Sequence, residues 1–175
     1  MIIAEHSVDI GRLPVKAKIL DLGCSDMKFN EYFTKRKCRV YSLDLDNEAP
    51  YKIAISTKNG RCGVDRKEDR QAWKMKEGDE IKMMTIKTFS DLVQVKHWDL
   101  IKMDIEGEEY NILWEAEHPI ADQVSVEFHA HLGYPKSMLD KLILHLSRWY
   151  HIRNDDWEER HGAGFNYWDV LFIAK

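Results

Sequence analysis

The first 45 residues alternate in a way that few folds accommodate: an apolar run, a tight turn, an amphipathic stretch, then a second apolar run ending in acid. Lys18–Leu22 (KILDL) predicts a strand, and Gly23-Cys24-Ser25-Asp26 the turn that ends it. Phe29, Tyr32 and Phe33 share one face of the helix that follows, with Asp26 or Asn30 as its cap. Arg39–Leu45 (RVYSLDL) predicts a second strand. Strand, helix and strand within about 30 residues make a βαβ unit, whose two strands lie parallel.

The later segments extend this plan. Tyr51–Ser56 (YKIAIS) alternates as a third strand closed by Asn59-Gly60. Arg61–Glu80 is dense in charge, and Trp73 and Met75 are its only large apolar members after Val64. It reads as a solvated loop, of a length that beside a site supplies a substrate lid. Ile81–Ile86 reads as a short strand and Ser90–Lys96 as a helix. Asp99–Ile105 (DLIKMDI) is the next strand, and Glu106–Glu117 a helix packed through Tyr110, Leu113 and Trp114. Gln123–Phe128 is a strand, and Pro135–Trp149 a helix with Met138, Leu139, Leu142, Ile143 and Leu146 at the 3.6-residue period. Tyr150–Asp156 and Tyr167–Ala174 are joined through Gly162-Ala163-Gly164 with no helix between them, so they must be antiparallel. The expectation is one α/β domain over residues 1–175, with its core at 18–175 and an N-terminal extension at 1–17. Its sheet is mostly parallel, with an antiparallel C-terminal hairpin.

Composition excludes several classes of function. The net charge of −4 and pI near 6.1 provide no global positive field to gather nucleic acid. Three cysteines, Cys24, Cys38 and Cys62, lack CxxC spacing, which argues against a disulfide framework or zinc knuckle and for a reducing compartment. Met1–Val15 carries His6, Asp9 and Arg12 without an apolar run, unlike a signal peptide. No stretch reaches the roughly 18 apolar residues of a membrane span. A soluble, cytoplasmic protein is expected.

Four places carry chemistry. Asp21, Gly23, Cys24 and Ser25 lie at the carboxyl end of the first strand, where open α/β sheets bind ligands and a helix N-terminus meets a carboxylate. Asp44 ends the second strand about 20 residues past that turn, the place of an acid that accepts from both ribose hydroxyls; Asp46 ranks behind it. Asp104, Glu106, Glu108 and Glu109 crowd the end of a mostly apolar strand. The dipole of a helix first turn accounts for Glu106 and Glu109, but less well for Asp104. Glu127, His129 and His131 share one side of the next strand while it lasts. They read as a catalytic base with its acid, as a divalent-metal set joined by Asp104, or as structural histidines. His161 is a weaker acceptor-side candidate.

With these residues in place the chain resembles the FkbM-type methyltransferases. DLIKMDIEGEEYNIL, Asp99–Leu113, is similar to the family's strand-to-helix hallmark, through Lys102, Asp104, Glu106-Gly107 and Glu109. ILDLGCS, VYSLDLD, IAIS, VEFH and WDVLFI resemble the family's other strands in order. The resemblance implies a Rossmann-like class I methyltransferase sheet of seven strands and S-adenosylmethionine as cofactor. It puts Asp44 on the ribose with Leu45 beside it, and Ile55 and Ser56 by the adenine. Asp104 and Glu106 border the donor methyl and the methionine portion, and His129 or Glu127 takes the acceptor's proton, with no metal assigned. It implies O-methylation of a sugar or other hydroxyl on a small-molecule or glycan acceptor; self-association as a homo-oligomer is left open. Ser25 and Met27 stand where the family has glycines. The helix between the second and third strands is reduced to a turn, and the N-terminal extension that closes the substrate side is nearly absent. An N- or nucleic-acid methyltransferase is the nearest alternative, although DIEG stands where an NPPY-like tetrapeptide would mark it. A non-catalytic binding module and a metal-dependent hydrolase using Glu127, His129 and His131 are the others.

Overall fold

A computed structural model describes residues 1–24, 27–45, 49–66, 73–129, 132–153, 160–162 and 165–175. The chain opens with a short antiparallel pair, β1 (Ile2–Ile3) and β2 (His6–Ser7), and a 3₁₀ turn at Ile10–Arg12. There follow β3 (Lys18–Leu22), α1 (Lys28–Lys35), β4 (Arg39–Asp44), β5 (Tyr51–Ile55), β6 (Gly60–Arg66), β7 (Trp73–Met84) and α2 (Ile86–Val93). The second half runs β8 (Leu100–Met103), α3 (Glu108–Trp114), β9 (Gln123–His129), α4 (Lys136–Leu146), β10 (Tyr150–Arg153), β11 (Arg160–Gly162) and β12 (Phe165–Ala174).

Among the described residues one ten-stranded sheet has the order β10-β12-β9-β8-β3-β4-β5-β7-β6, with β11 paired to β12. The run from β9 through β7 is parallel, and β12, β10 and β6 are antiparallel to their neighbours. The seven strands from β10 to β5 are those expected, including the antiparallel C-terminal pair. Six residues join β4 to β5, too few for a helix crossover, and the two strands overlap by only two pairs.

Period-2 alternation divides the sheet into two unlike faces. Leu20, Leu22, Ile101, Met103, Val124, Val126, Phe128, Val170 and Phe172 face one way, under Phe89 of α2, Tyr110, Ile112 and Leu113 of α3, and Leu139, Leu142 and Leu146 of α4. The other face buries Ile19 and Leu100 beneath α1, through Phe29 and Phe33, and beneath the N-terminal segment, through Ile3 and Val8. On that second face the alternation also brings polar residues inside: Asp21, Ser42, Lys102, Ser125, His129 and Asp169 are all buried.

Four expectations need correction. Arg61–Glu80 is no plain loop: β6 and β7 form a long antiparallel ribbon extending the sheet past β5, with residues 67–72 outside the described set. Its Cys62, Val64, Ile81 and Met83 form one small cluster with Ala54 of β5, Met84 joins the main core, and the rest of its described side chains lie largely in water, so its sequence lacks a strand's contrast. The N-terminal extension is short but present, folded back over the second face. Asn30 does not cap α1. Met27 is the N-cap, in the left-handed region at φ 57°, while Asn30 lies inside the helix and Asp26 is not described. Trp114 points outward and is 49% exposed, because α3 ends there.

Phe33 is fully buried and touches Phe29 with ring centroids 4.9 Å apart, whereas Leu144 of α4 is 72% exposed. Phe33→Ala is therefore expected to lower the unfolding free energy by about 3–5 kcal/mol. Leu144→Ser should change it by under about 0.5 kcal/mol. Urea denaturation of both variants checks the contrast.

Candidate active site

The carboxyl ends of β3, β4, β8 and β9 converge where β3 turns into α1. Gly23 makes the turn at φ 78°, and its N–H donates to the Leu43 carbonyl at 2.9 Å. The Asp104 N–H donates to the Leu22 carbonyl at 3.1 Å. This backbone approach is so close that a Cβ on Gly23 would stand 1.8 Å from the Asp104 carbonyl oxygen. Only glycine fits, for packing as well as for dihedral reasons.

Lys102 sits beneath this junction. Its buried ammonium donates to the Gly23 carbonyl and lies 3.4 Å from Asp104 Oδ2 and 3.6 Å from Asp21 Oδ1. Burial pushes an ammonium's pKa down, yet Asp104 and Asp21 beside it hold Lys102 above the ordinary lysine range. Burial likewise opposes the charge of Asp104. Lys102, with the imidazoles of His129 and His6 beside it, holds that carboxyl well below the usual range. Asp21, fully buried, is raised by desolvation and accepts from Ser42 Oγ at 2.9 Å; Ser42 in turn accepts from Asn30 Nδ2 at 2.8 Å.

His129 ends β9 with carboxylates on both ring nitrogens. Nδ1 lies 3.3 Å from Glu109 Oε1, and Nε2 lies 3.4 Å from Asp104, 3.5 Å from Glu127 and 3.7 Å from Glu106. Burial would strip its proton, but Asp104 and Glu109 hold its pKa up to about 11. Glu127 is pushed up to about 8, by burial and then by the charge of Asp104. A cavity of about 80 Å³ opens beside the β3 turn, lined by His6, Asp21, Gly23, Cys24, Met27, Lys102 and Asp104 among others.

The structure thus brings together Asp21, Gly23, Cys24, Asp104, Glu106, Glu127 and His129. Asp44 and Leu45 lie at the end of β4, one strand away, with Leu45 packed against the β6–β7 cluster. Ile55 is a core residue, and Ser56 donates to Glu108 Oε2 at 2.9 Å. Ser25, Asp46 and His131 lie outside the described residues, as does the side chain of His161. Glu109 departs from the reading given it: it is a fully buried latch rather than a dipole-facing surface acid, accepting from the Ile105 and Gly107 N–H groups at 2.7 Å each. α3 accordingly starts at Glu108, because Glu106 (φ 57°) and Gly107 (φ 106°) take left-handed conformations.

Sequence reasoning missed His6 and Asp169. His6 is 2% exposed, with Nε2 3.9 Å from Asp104 and Nδ1 3.8 Å from Asp169, and burial lowers its pKa. Asp169 does alternate in phase with Leu171 and Ile173 in β12, and an acid inside so apolar a strand was the available signal. Nothing local marked His6, whose place depends on the fold-back of the N-terminus.

Residues 14–158 match the methyltransferase FkbM domain family. The chain belongs to that family. No curated protein matches it. Among solved structures, the Mtq2–Trm112 complex of E. cuniculi, described as responsible for methylation of the eRF1 translation termination factor, has 16% identity over 93% of this chain and 87% of that one. Its TM-score of 0.51 marks a shared fold. A TehB-like SAM-dependent methyltransferase from Corynebacterium glutamicum aligns at 18% identity over 94% of this chain and 84% of that one, with a TM-score of 0.48.

Family membership implies S-adenosylmethionine as the cofactor, and the donor set suits its amino-acid end. Asp21 and Asp104 offer carboxylates for an ammonium, Lys102 offers a cation for a carboxylate, and Asp21 Oδ1 is a buried acceptor without a hydrogen bond.

Two outcomes follow from this geometry. Lys102→Met leaves Asp21 and Asp104 without their counter-charge, and is expected to cost about 3–5 kcal/mol in urea unfolding at pH 7. Burial, with the charges of Asp21 and Asp44, pushes the Cys24 thiol up to about 12, so at pH 8 it stays protonated. Iodoacetamide at pH 8 should therefore modify the half-buried Cys38 before Cys24, as peptide mass spectrometry would reveal.

Proposed function

We propose that the chain transfers the methyl group of S-adenosylmethionine to a hydroxyl oxygen of a small-molecule or glycan acceptor. The observation that carries this reading is the meeting of Lys102, Asp104, Glu127 and His129 at the carboxyl edge of the sheet, within a chain of the FkbM family. Acids beside a cation suit an alcohol, which must lose a proton as it attacks, better than an amine that already carries a lone pair.

In this reading Gly23 and Cys24 lie along the cofactor's methionine end, Lys102 meets its carboxylate, and Asp21 and Asp104 face its ammonium. Asp44 accepts from the ribose hydroxyls, with Leu45, Ile55 and Ser56 toward the adenine. Glu106 borders the donor methyl. Bound, the cofactor supplies an electrophilic methyl on an already activated leaving group, so most of the chain's contribution is alignment. Glu127 Oε1 takes the acceptor proton, and His129, with a carboxylate on each ring nitrogen, holds the cluster in place. Three free cysteines support work in a reducing compartment.

Asp44→Ala is expected to weaken S-adenosylhomocysteine binding by about 1–3 kcal/mol in calorimetry. Glu127→Gln should lower turnover by about 10²–10⁴-fold while that binding survives. Incubation with methyl-labelled donor and hydroxyl-bearing acceptors tests the whole reading: label in base-stable ethers supports it, whereas label on nitrogen, in nucleic acid or nowhere overturns it.

A further inference from the structure

We propose that Asp104, Glu106 and His129 form a divalent-cation site on the acceptor side of the sheet, with Glu127 beside it as the proton acceptor. His129 Nε2 lies 3.4, 3.5 and 3.7 Å from carboxylate oxygens of Asp104, Glu127 and Glu106. Those spacings are longer than hydrogen bonds of about 2.7–3.2 Å. They match ligand atoms sharing one ion, which at bonds of about 2.1 Å stand roughly 3–3.5 Å apart. The candidate ligand atoms of Asp104, Glu106 and His129 all fall within 4.8 Å of one another.

Two further observations point to an ion rather than to a fortuitous crowd. Glu109, fully buried, faces His129 Nδ1 at 3.3 Å. A carboxylate facing one imidazole nitrogen favours the proton there, so the ring presents its other nitrogen to Asp104, Glu127 and Glu106. Glu109 is itself held by two backbone N–H groups, so the arrangement is rigid. The second observation is His6. It is 2% exposed, its Nε2 faces Asp104 at 3.9 Å, beyond hydrogen-bond reach, and its candidate ligand atom lies within 4.8 Å of those of Asp104 and Glu127. The two sets share Asp104, so His6 borders the same centre from the N-terminal side.

One imidazole among carboxylate oxygens suits Mn²⁺, with Mg²⁺, which prefers oxygen, and Zn²⁺, which prefers imidazole, as the alternatives. The catalytic use of the ion rests on the methyl-transfer reading; its binding does not. An acceptor bearing two adjacent oxygens would chelate it, and the ion would lower the pKa of a bound hydroxyl. The hydroxyl loses its proton to Glu127, and its oxygen forms a bond to the donor methyl. The sulfur–carbon bond breaks with its electron pair left on sulfur, giving the neutral thioether.

The test is a titration of EDTA-treated full-length chain with Mn²⁺, followed by the paramagnetic signal of free Mn²⁺ and by melting temperature. One saturable site is expected. Glu106→Gln and His129→Gln should each weaken it at least tenfold. Asp122→Asn should not change it, although it dismantles the exposed triad His97, Asp99 and Asp122, the other arrangement able to hold an ion among the described residues. Circular dichroism checks folding, and if His129→Gln fails to fold, Glu106→Gln decides. The proposal is overturned if Mn²⁺, Mg²⁺ and Zn²⁺ all fail to saturate one site, or if Asp122→Asn abolishes binding while Glu106→Gln does not. S-adenosylhomocysteine binding on the same samples separates the two readings: an ion without cofactor binding removes the donor site alone, and cofactor without an ion removes the ion site alone.

Discussion

A single buried ammonium holds this site together. Lys102 reaches from β8 to the Gly23 carbonyl of the β3 turn and to the carboxylates of Asp21 and Asp104. Taking a lysine out of water costs several kcal/mol, which nearby charges must offset. Here two carboxylates and a carbonyl do so. Asp21 passes the constraint on through Ser42 to Asn30, so β3, β4, β8 and α1 all depend on one cation. A neutral residue of the same volume would leave two acids in an apolar setting, and the β3 turn would lose its anchor.

The two faces of the sheet divide structure from chemistry. The face under α2, α3 and α4 is almost wholly apolar, and it carries the larger share of the core. The opposite face interleaves Ile19 and Leu100 with Asp21, Lys102, Ser125 and Asp169, and among the described residues α1 and the N-terminal segment cover it. A second helix on that face has no room in the six-residue link between β4 and β5. Polar groups at the strand ends are thus left next to a thin cover, where a ligand can reach them. The same fold-back brings His6 to Asp104 and Asp169.

What the sequence disclosed follows the strength of these patterns. β3, α1, β4, β8 and β9 combine apolar periodicity with short turns, and their order was readable along with the antiparallel end. The β6–β7 ribbon was not, because outside Cys62, Val64, Ile81 and Met83 its described side chains lie largely in water and it resembles a charged loop. Asp104, Glu127 and His129 were legible as a group, since acids and histidines at strand ends stand out against apolar runs. His6 was invisible for the opposite reason. Its role comes from tertiary folding across almost 100 residues of chain, and no local spacing encodes that.

The segment Lys102–Glu109 makes the same point at the scale of single residues. Strand alternation sends Lys102 to the polar face and Met103 to the apolar core. Asp104 closes the β3–β8 junction with its N–H and offers its carboxylate to Lys102 and His129. Ile105 returns to the core side, and Glu106 and Gly107 reverse the chain in left-handed conformations. At Gly107 a Cβ would press within 3.1 Å of Leu132 and 3.3 Å of Tyr134. Glu108 ties the start of α3 to Ser56 at the end of β5. Glu109 then turns inward to accept from Ile105 and Gly107, so the acid that orients His129 also fixes the loop carrying Asp104 and Glu106. Four acids in six residues are tolerated because Lys102, His129, Ser56 and two backbone N–H groups share their charge. A substitution at Glu109 would act on His129 and on the loop at once, coupling the position of the imidazole to the path of the backbone.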